Sequence, residues 1–154
     1  MYIYNMLSHK DLYDVVKKTT LSSVDLLFVS NGCVLLGKRT NNPARGYLFN
    51  PGGKVYKMET QKKAIQRLAK AECGIVVDEY KHLGVYDHIY DTNFKNDNVK
   101  THYVSNCYLI HLPDKVEVQG DTQHSCLQWV DIQTAITRED CHPYVKLFLV
   151  DYLE

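Results

Sequence analysis

The segment from Gly52 to Ile75, GGKVYKMETQKKAIQRLAKAECGI, constrains the fold of this chain most strongly. A glycine pair and a short polar loop precede a helical pattern from Thr60 to Cys73, and Gly74 follows it. Because glycine readily adopts the left-handed conformation that ends many helices, we expect the helix to end there. Small and aliphatic side chains form its apolar face: Ala64, Ile65, Leu68, Ala69 and Ala71.

Glu72 lies near the middle of that apolar face. A carboxylate is costly to bury unless a cation or hydrogen bonds satisfy it. The residues alone leave two interpretations open. Either Glu72 reaches water or an arginine past the helix end, or it binds a hard divalent cation together with backbone carbonyls of the glycine turn.

The rest of the chain predicts an α+β fold with a mixed sheet of about six strands and two or three helices. SHKDLYDVVKK indicates a first helix capped by Ser8, and PYVKLFLVDYL a last helix that begins at a proline. Asn31-Gly32 predicts a hairpin turn between SVDLLFVS and CVLLGKR. NNPARGYLFNPGG is expected to form a loop, a short strand and a second loop. HLGVYDHIY, THYVSNCYLIHL and CLQWVD are further predicted strands, and the polar segment DTNFKNDNVK is a loop.

The composition fits one globular domain over residues 1–154. Eighteen basic and eighteen acidic residues give zero net charge, which argues against nucleic acid or an anionic membrane as a partner. The longest apolar stretches, VDLLFV and VKLFLV, are too short to cross a bilayer, and the first ten residues lack a signal-peptide pattern. Five scattered cysteines without a C-x-x-C pair indicate reduced thiols and a cytoplasmic location.

The same segment resembles the Nudix box. Gly53 is followed after five residues by Glu59, after seven more by Arg67, and then by Glu72-Cys73-Gly74-Ile75. Nudix enzymes mostly hydrolyse nucleoside diphosphates linked to another group. The full signature also has glutamates at the two positions where this chain has Leu68 and Ala71.

Five further segments are similar to the GDP-mannose mannosyl hydrolase branch of that superfamily, and the resemblance extends from Leu12 to Trp129. They are LLGKRTNNPARGYLFNPGGKV, METQKKAIQRLAKAECG, YDHIYDTNF, THYV and QHSCLQWV. The resemblance implies a Nudix-like α/β/α sandwich. It also implies hydrolysis of GDP-mannose, with GDP-glucose as a further candidate, by inverting attack of water on the anomeric carbon.

The resemblance further implies one Mg²⁺ ion per site, which Mn²⁺ could replace, held by Gly52, Glu72 and Gln123. Two of these ligands are neutral, which suits a hard cation that shares its shell with diphosphate and water. His124 is the implied general base, and the pKa of histidine near neutrality suits that role.

Arg39 and Tyr103 correspond to groups that hold the departing diphosphate, since a guanidinium fork can make bidentate phosphate contacts. Lys54 stands where members of the branch have an arginine, so the charge is kept and the bidentate geometry is lost. Asp25 and His88 are expected near the sugar.

The resemblance of the N-terminal segment is looser. Asp11 is a candidate acceptor for the donor edge of guanine, and a helix-capping Asp11 is equally compatible with the sequence. Leu7 belongs to an apolar segment that we expect at the interface of a homodimer, close to the substrate site of the partner.

Two other functions compete with this reading. A Nudix pyrophosphatase would cut the P–O bond of a nucleotide sugar, although Leu68 and Ala71 replace carboxylates which that chemistry usually needs. A non-catalytic nucleotide-sugar-binding module would not need Glu72, Gln123 and His124 together.

Overall fold

The computed structural model describes residues 7–118 and 124–154, apart from the side chains of residues 124 and 125. The helices in this part are α1 (His9–Lys18), α2 (Gln61–Cys73), α3 (Ile132–Thr137) and α4 (Pro143–Leu153). The strands are β1 (Leu21–Ser30), β2 (Cys33–Arg39), β3 (Leu48–Phe49), β4 (Gly52–Lys54), β5 (Lys81–Tyr90), β6 (Thr101–His111) and β7 (His124–Asp131). The predicted α+β class is confirmed.

The strands form one mixed sheet in the order β3-β2-β1-β6-β5, with β4 paired to β1 and β7 paired to β2. β1 runs parallel to β6, and the other pairs are antiparallel. Side chains alternate along β1, so Leu26 and Phe28 pack with α2 on one face, while Leu27 and Val29 pack with α3 and α4 on the other. The result is the predicted three-layer sandwich.

The predicted turns and caps are present. Asn31 and Gly32 have φ angles of 49° and 74°, as the two-residue hairpin requires. Thr60, predicted as the first helical residue, is instead the cap of α2, and its side chain accepts a hydrogen bond from the Lys63 N–H. Gly74 ends that helix in the left-handed conformation, with a φ of 70°.

Three expectations need correction. Ala71 is exposed, because the buried stripe of α2 continues instead through Glu72 and Cys73. The three-residue strand β4 replaces part of a predicted loop, because it pairs with β1 despite its two glycines. The six-residue helix α3 follows β7 directly and is capped by the Asp131 side chain, in a segment for which the sequence analysis predicted no element.

The outer edge of β5 is covered by a tyrosine. The Tyr144 hydroxyl accepts a hydrogen bond from the Ile89 N–H at 2.9 Å and donates one to the Ile89 carbonyl oxygen at 2.7 Å. The five cysteines, all within the described residues, form no disulfide bonds, and Cys73, Cys107 and Cys141 are buried. None of the described helices has the length and apolar character needed to span a membrane.

Candidate active site

A cavity of about 540 Å³ lies beside α1 and β4, between the loop that follows β2 and the ends of β5 and β6. Its lining brings together residues that are up to 94 positions apart in the chain, from His9 to Tyr103. The predicted site residues among them are Asp25, Arg39, Gly52, Lys54, His88 and Tyr103.

Two of the predicted metal ligands are adjacent. The Glu72 side chain is only 5% exposed, and its Oε2 accepts a hydrogen bond from the Gly52 N–H at 3.0 Å. Gly52 lies opposite Asp25 in the antiparallel pairing of β4 with β1. Because the N–H and C=O of one strand residue point to the same side, the Gly52 carbonyl also lies on the Glu72 side of β4.

Close backbone packing requires glycine at position 52, and Gly53 lies against the side chain of Leu68. A Cβ atom on Gly52 would lie 2.6 Å from the Val24 carbonyl oxygen and 2.9 Å from Asp25 Oδ1. A Cβ atom on Gly53 would lie 2.8 Å from Leu68 Cδ2. Leu68 is therefore packed under the glycine turn, at the position where the full Nudix box has a glutamate.

These donors fit a hard divalent cation, because a carboxylate and a backbone carbonyl are oxygen ligands. Residues 7–118 and the described side chains after residue 125 contain no cluster of three or more His, Cys, Asp or Glu that could hold a metal. The third predicted ligand, Gln123, lies outside the described residues. Within the described part, the candidate metal ligands are thus the Glu72 carboxylate and the neutral carbonyl oxygen of Gly52.

The other two charged residues of the box hold the loop before α2. Arg67 Nε lies 2.6 Å from Glu59 Oε1, and Arg67 Nη2 donates to Glu59 Oε2 and to the Lys54 carbonyl oxygen, each at 2.9 Å. The Arg67 guanidinium also lies 3.9 Å from the centre of the Tyr56 ring. Both Glu59 oxygens are therefore engaged in fixing the glycine turn against the helix.

Asp25 is buried and held by donors that the sequence analysis missed. Its Oδ1 accepts from Asn50 Nδ2 at 2.9 Å, and its Oδ2 accepts from the Ser105 hydroxyl. Asn50 stands two residues before Gly52, and Ser105 stands two residues after Tyr103 on the same face of β6. In the sequence, these two spacings are the signals that place Asn50 and Ser105 near the site. Neither spacing shows that their side chains bind Asp25.

His88 is buried beside this carboxylate, with Nδ1 3.9 Å from Asp25 Oδ2. Its ring stacks on Tyr144 with centroids 4.1 Å apart and planes 2° from parallel. Burial lowers the pKa of His88 against the opposing effect of Asp25 and Asp87, which favours a neutral ring at pH 7. Its Nε2 is buried and has no hydrogen-bond partner among the described residues.

The three predicted leaving-group contacts, Arg39, Lys54 and Tyr103, all line the cavity. Arg39 Nε donates to the Pro43 carbonyl oxygen at 3.0 Å, and its guanidinium lies 5.8 Å from the centre of the Phe49 ring. Burial, and secondly Arg67, lower the pKa of Lys54. Burial raises the pKa of Tyr103 to about 12, so its hydroxyl stays protonated and able to donate at neutral pH.

The predicted general base, His124, is the first residue of β7. His124 is the register partner of Arg39 in the antiparallel pairing of β2 and β7, so its backbone lies beside the cavity wall. The side chain of His124 lies outside the description, as does Gln123.

The structure does not bring Asp11 or Leu7 to the described cavity. Asp11 is exposed, its carboxylate accepts from the Ser8 hydroxyl at 2.8 Å, and its N–H donates to Ser8 Oγ at 3.1 Å. This is a helix cap, the alternative that the sequence left open for Asp11. Leu7 is 49% exposed, and the part of α1 that lines the cavity is His9, Leu12 and Val16.

The loop between β5 and β6 closes this side of the cavity against α1. The Tyr13 hydroxyl donates to Asp97 Oδ2 at 2.6 Å, and the rings of His9 and Phe94 lie 5.7 Å apart. His9 and Phe94 both line the cavity, so an aromatic wall stands beside the cationic one.

The three-layer fold thus places a buried carboxylate on a glycine turn, next to a cavity lined by Arg39, Arg45 and Lys54. The chain belongs to the Nudix family: the family model described as the NUDIX domain matches residues 19–148.

Two curated relatives are similar in sequence. The low-salt glycan biosynthesis protein Agl8 of Haloferax volcanii is 39% identical over 135 residues, which cover 88% of this chain and 83% of that protein. The ADP-ribose pyrophosphatase of Methanocaldococcus jannaschii is 39% identical over 64 residues, which cover 42% of this chain and 38% of that protein.

Solved structures share the fold. A MutT Nudix hydrolase from Burkholderia pseudomallei superposes with a TM-score of 0.74 at 26% identity, over 87% of this chain and 98% of the other. The Nudix domain of Shewanella oneidensis NrtR, solved with ADP ribose, has a TM-score of 0.69 at 16% identity, over 96% and 100% of the two chains. Because the NrtR domain is only 16% identical, its similarity to this chain concerns the fold alone.

Proposed function

We propose that this Nudix hydrolase converts GDP-mannose, with GDP-glucose as a second substrate, to GDP and free sugar. The observation that carries the proposal is the reduced carboxylate set of the box. Leu68 is buried at 5% exposure, Ala71 has no polar group, and both oxygens of Glu59 are bound by neighbouring donors. Glu72 is thus the carboxylate of the helix placed against the Gly52 turn.

Bond cleavage at phosphorus is favoured by several carboxylates that gather metal ions and activate water there. Cleavage at the sugar carbon has other needs: a base on the far side of the ring and an environment that stabilises the departing diphosphate. The described site has cations and a phenol that can stabilise a leaving group. Only one carboxylate of the box, Glu72, lies against the glycine turn there. This balance favours the carbon–oxygen bond as the one that breaks.

Each candidate residue has a role in that reaction. His124 takes the proton from the attacking water, whose oxygen forms a bond to the anomeric carbon. The bond between that carbon and the diphosphate oxygen breaks, and its electron pair leaves with GDP. Arg39, Lys54 and the protonated Tyr103 stabilise the negative charge that appears on the diphosphate.

The sugar is assigned to the buried polar end of the cavity. Asp25 is held in place by Asn50 and Ser105, and His88, which lies beside Asp25 and lines the cavity, is assigned to a sugar hydroxyl. Glu72, the Gly52 carbonyl and Gln123 would hold Mg²⁺ or Mn²⁺, which when bound neutralises diphosphate charge.

The relatives support two competing expectations. The name of the Haloferax volcanii relative places that protein in glycan biosynthesis, which favours a nucleotide sugar as the substrate here. The shorter match to an ADP-ribose pyrophosphatase favours the alternative, P–O cleavage that yields GMP and a sugar phosphate.

Hydrolysis of GDP-mannose in ¹⁸O-labelled water with Mg²⁺ distinguishes these outcomes. We expect the label on mannose and unlabelled GDP. Label on a phosphate would establish the pyrophosphatase, and binding without turnover would establish a non-catalytic nucleotide-sugar module. Light scattering of the same preparation tests the homodimer, the assembly state that we propose from the family resemblance.

A further inference from the structure

We propose that Arg45 is an additional phosphate-binding residue, and that it makes the bidentate contact to the diphosphate which Lys54 cannot make. This inference rests on the proposed function, because it takes a nucleoside diphosphate as the anion of the cavity. Arg45 lines that cavity together with Arg39 and Lys54.

The loop that carries Arg45 is closed on Arg39 by backbone atoms. The Arg39 N–H donates to the Tyr47 carbonyl oxygen and the Gly46 N–H donates to the Arg39 carbonyl oxygen, both at 2.9 Å. The backbone of Arg45 is therefore held close to Arg39, another cation that lines the cavity. Because these bonds involve backbone groups, truncation of the Arg45 side chain should leave the loop intact.

Arg45 differs from the other three arginines of the chain in its surroundings. Arg67 is paired with Glu59, Arg138 is paired with Asp140, and Arg39 donates to the Pro43 carbonyl oxygen. Within residues 7–118 and the described part of the C-terminal segment, Arg45 makes no hydrogen bond or ion pair. Its exposed guanidinium keeps all five donors for a ligand.

The lining of the cavity gives Arg45 no anion to neutralise it. Among the described lining residues, Asp25 is the acidic one, and Asn50 and Ser105 already bind its two oxygens. Arg39, Arg45 and Lys54 together therefore form a cationic wall suited to a group with at least two negative charges.

Lys54 cannot supply the geometry of this contact. Its ammonium is a point charge, whereas a guanidinium can donate two parallel hydrogen bonds to one phosphate. A second arginine that lines the same cavity restores that capacity from another element of the fold.

The test measures GDP and guanosine binding by calorimetry in the wild type, Arg45→Ala, Arg45→Lys and Arg45→Ala/Lys54→Arg. We expect Arg45→Ala to weaken GDP binding by about 10-fold to 100-fold, the range for charge-assisted hydrogen bonds, and to leave guanosine binding unchanged. Arg45→Lys should recover only part of the loss. Lys54→Arg in the Arg45→Ala background should recover most of it.

Lys38→Ala is the charge-matched control, because Lys38 is an exposed neighbour of Arg39 that does not belong to the described lining of the cavity. It should bind GDP like the wild type. The proposal is overturned if Arg45→Ala binds GDP normally, loses guanosine to the same extent, or is not rescued by Lys54→Arg. Because these measurements need no turnover, ¹⁸O label on phosphate would refute the proposed reaction without affecting this result.

Discussion

Glu72, in the last turn of α2, accepts a hydrogen bond from the backbone N–H of Gly52, twenty residues earlier in the chain. This contact joins the buried end of the helix to the glycine turn on the edge of the sheet. It also accounts for a carboxylate on an apolar helix face, since a buried carboxylate requires a donor or a cation.

Glu72→Gln tests the metal role of this residue. The amide oxygen can still accept a hydrogen bond from the Gly52 N–H, so the fold should persist. The loss of the negative charge should weaken binding of the divalent cation. We expect kcat/KM to fall by about 100-fold or more and the Mg²⁺ concentration for half-maximal activity to rise. Magnesium titrations of wild type and variant, with matched melting curves, provide the measurement. Unchanged magnesium dependence would contradict the assignment.

His124→Gln tests the proposed base. Loss of a positioned general base should lower kcat by about 10²-fold to 10⁴-fold, while GDP affinity remains that of the wild type. Single-turnover kinetics and GDP calorimetry separate the two effects. His111→Gln, at an exposed position on the end of β6, is the matched control. Near-normal turnover in His124→Gln would remove this histidine from the mechanism.

Leu68 and Ala71 occupy two family glutamate positions but differ in burial. Leu68→Glu should lower the free energy of unfolding by about 3 kcal/mol or more, because it places a charge in the core beneath Gly53. Ala71→Glu is exposed and should change stability by no more than about 0.5 kcal/mol. Urea denaturation of the two variants makes the comparison. Equal stability of both variants would show that Leu68 has no packing role.

His142 should make the protein less stable in mild acid. Burial, with smaller effects of His88 and Arg39, lowers the pKa of His142 to about 4 in the folded state, from 6.5 in the unfolded chain. The unfolded state therefore binds the proton first as pH falls. The stabilisation is complete above pH 6.5 and is lost progressively as pH falls towards 4.

His142→Asn isolates this effect, because asparagine can keep the side-chain acceptor that caps Tyr144 N–H at the start of α4. The variant should show a flatter dependence of unfolding free energy on pH between 6.5 and 4. His111→Asn should retain the wild-type slope. An unaltered slope in His142→Asn would assign the acid sensitivity to other groups.

Local patterns predicted the elements of this fold where they are strong. Ser8, Asn31-Gly32, Thr60 and Gly74 act as the caps and turns expected of their residue types. Ala71 was misplaced because a helical wheel of a short segment does not reveal where the sheet lies. The sequence also left two roles open for Asp11, because both capping a helix and accepting from guanine suit an aspartate; the described structure shows its contacts with Ser8 at the start of α1.

The candidate site was predictable only where it follows a family pattern. The contact of Asp25 with Ser105 spans 80 residues, and that with Asn50 spans 25, so no local spacing reveals them. Arg45 was missed for a related reason. Its significance comes from its place in the cavity lining without an ion pair to any described residue, and both are properties of the folded arrangement.

The two hydrogen bonds between Tyr144 and Ile89 have a consequence for assembly. An edge strand with open N–H and C=O groups invites pairing with another chain, and β5 carries the exposed side chains of Val85 and Ile89. Tyr144 occupies both backbone groups of Ile89 from within the same molecule. An incoming strand would first have to displace this phenol from the backbone of Ile89.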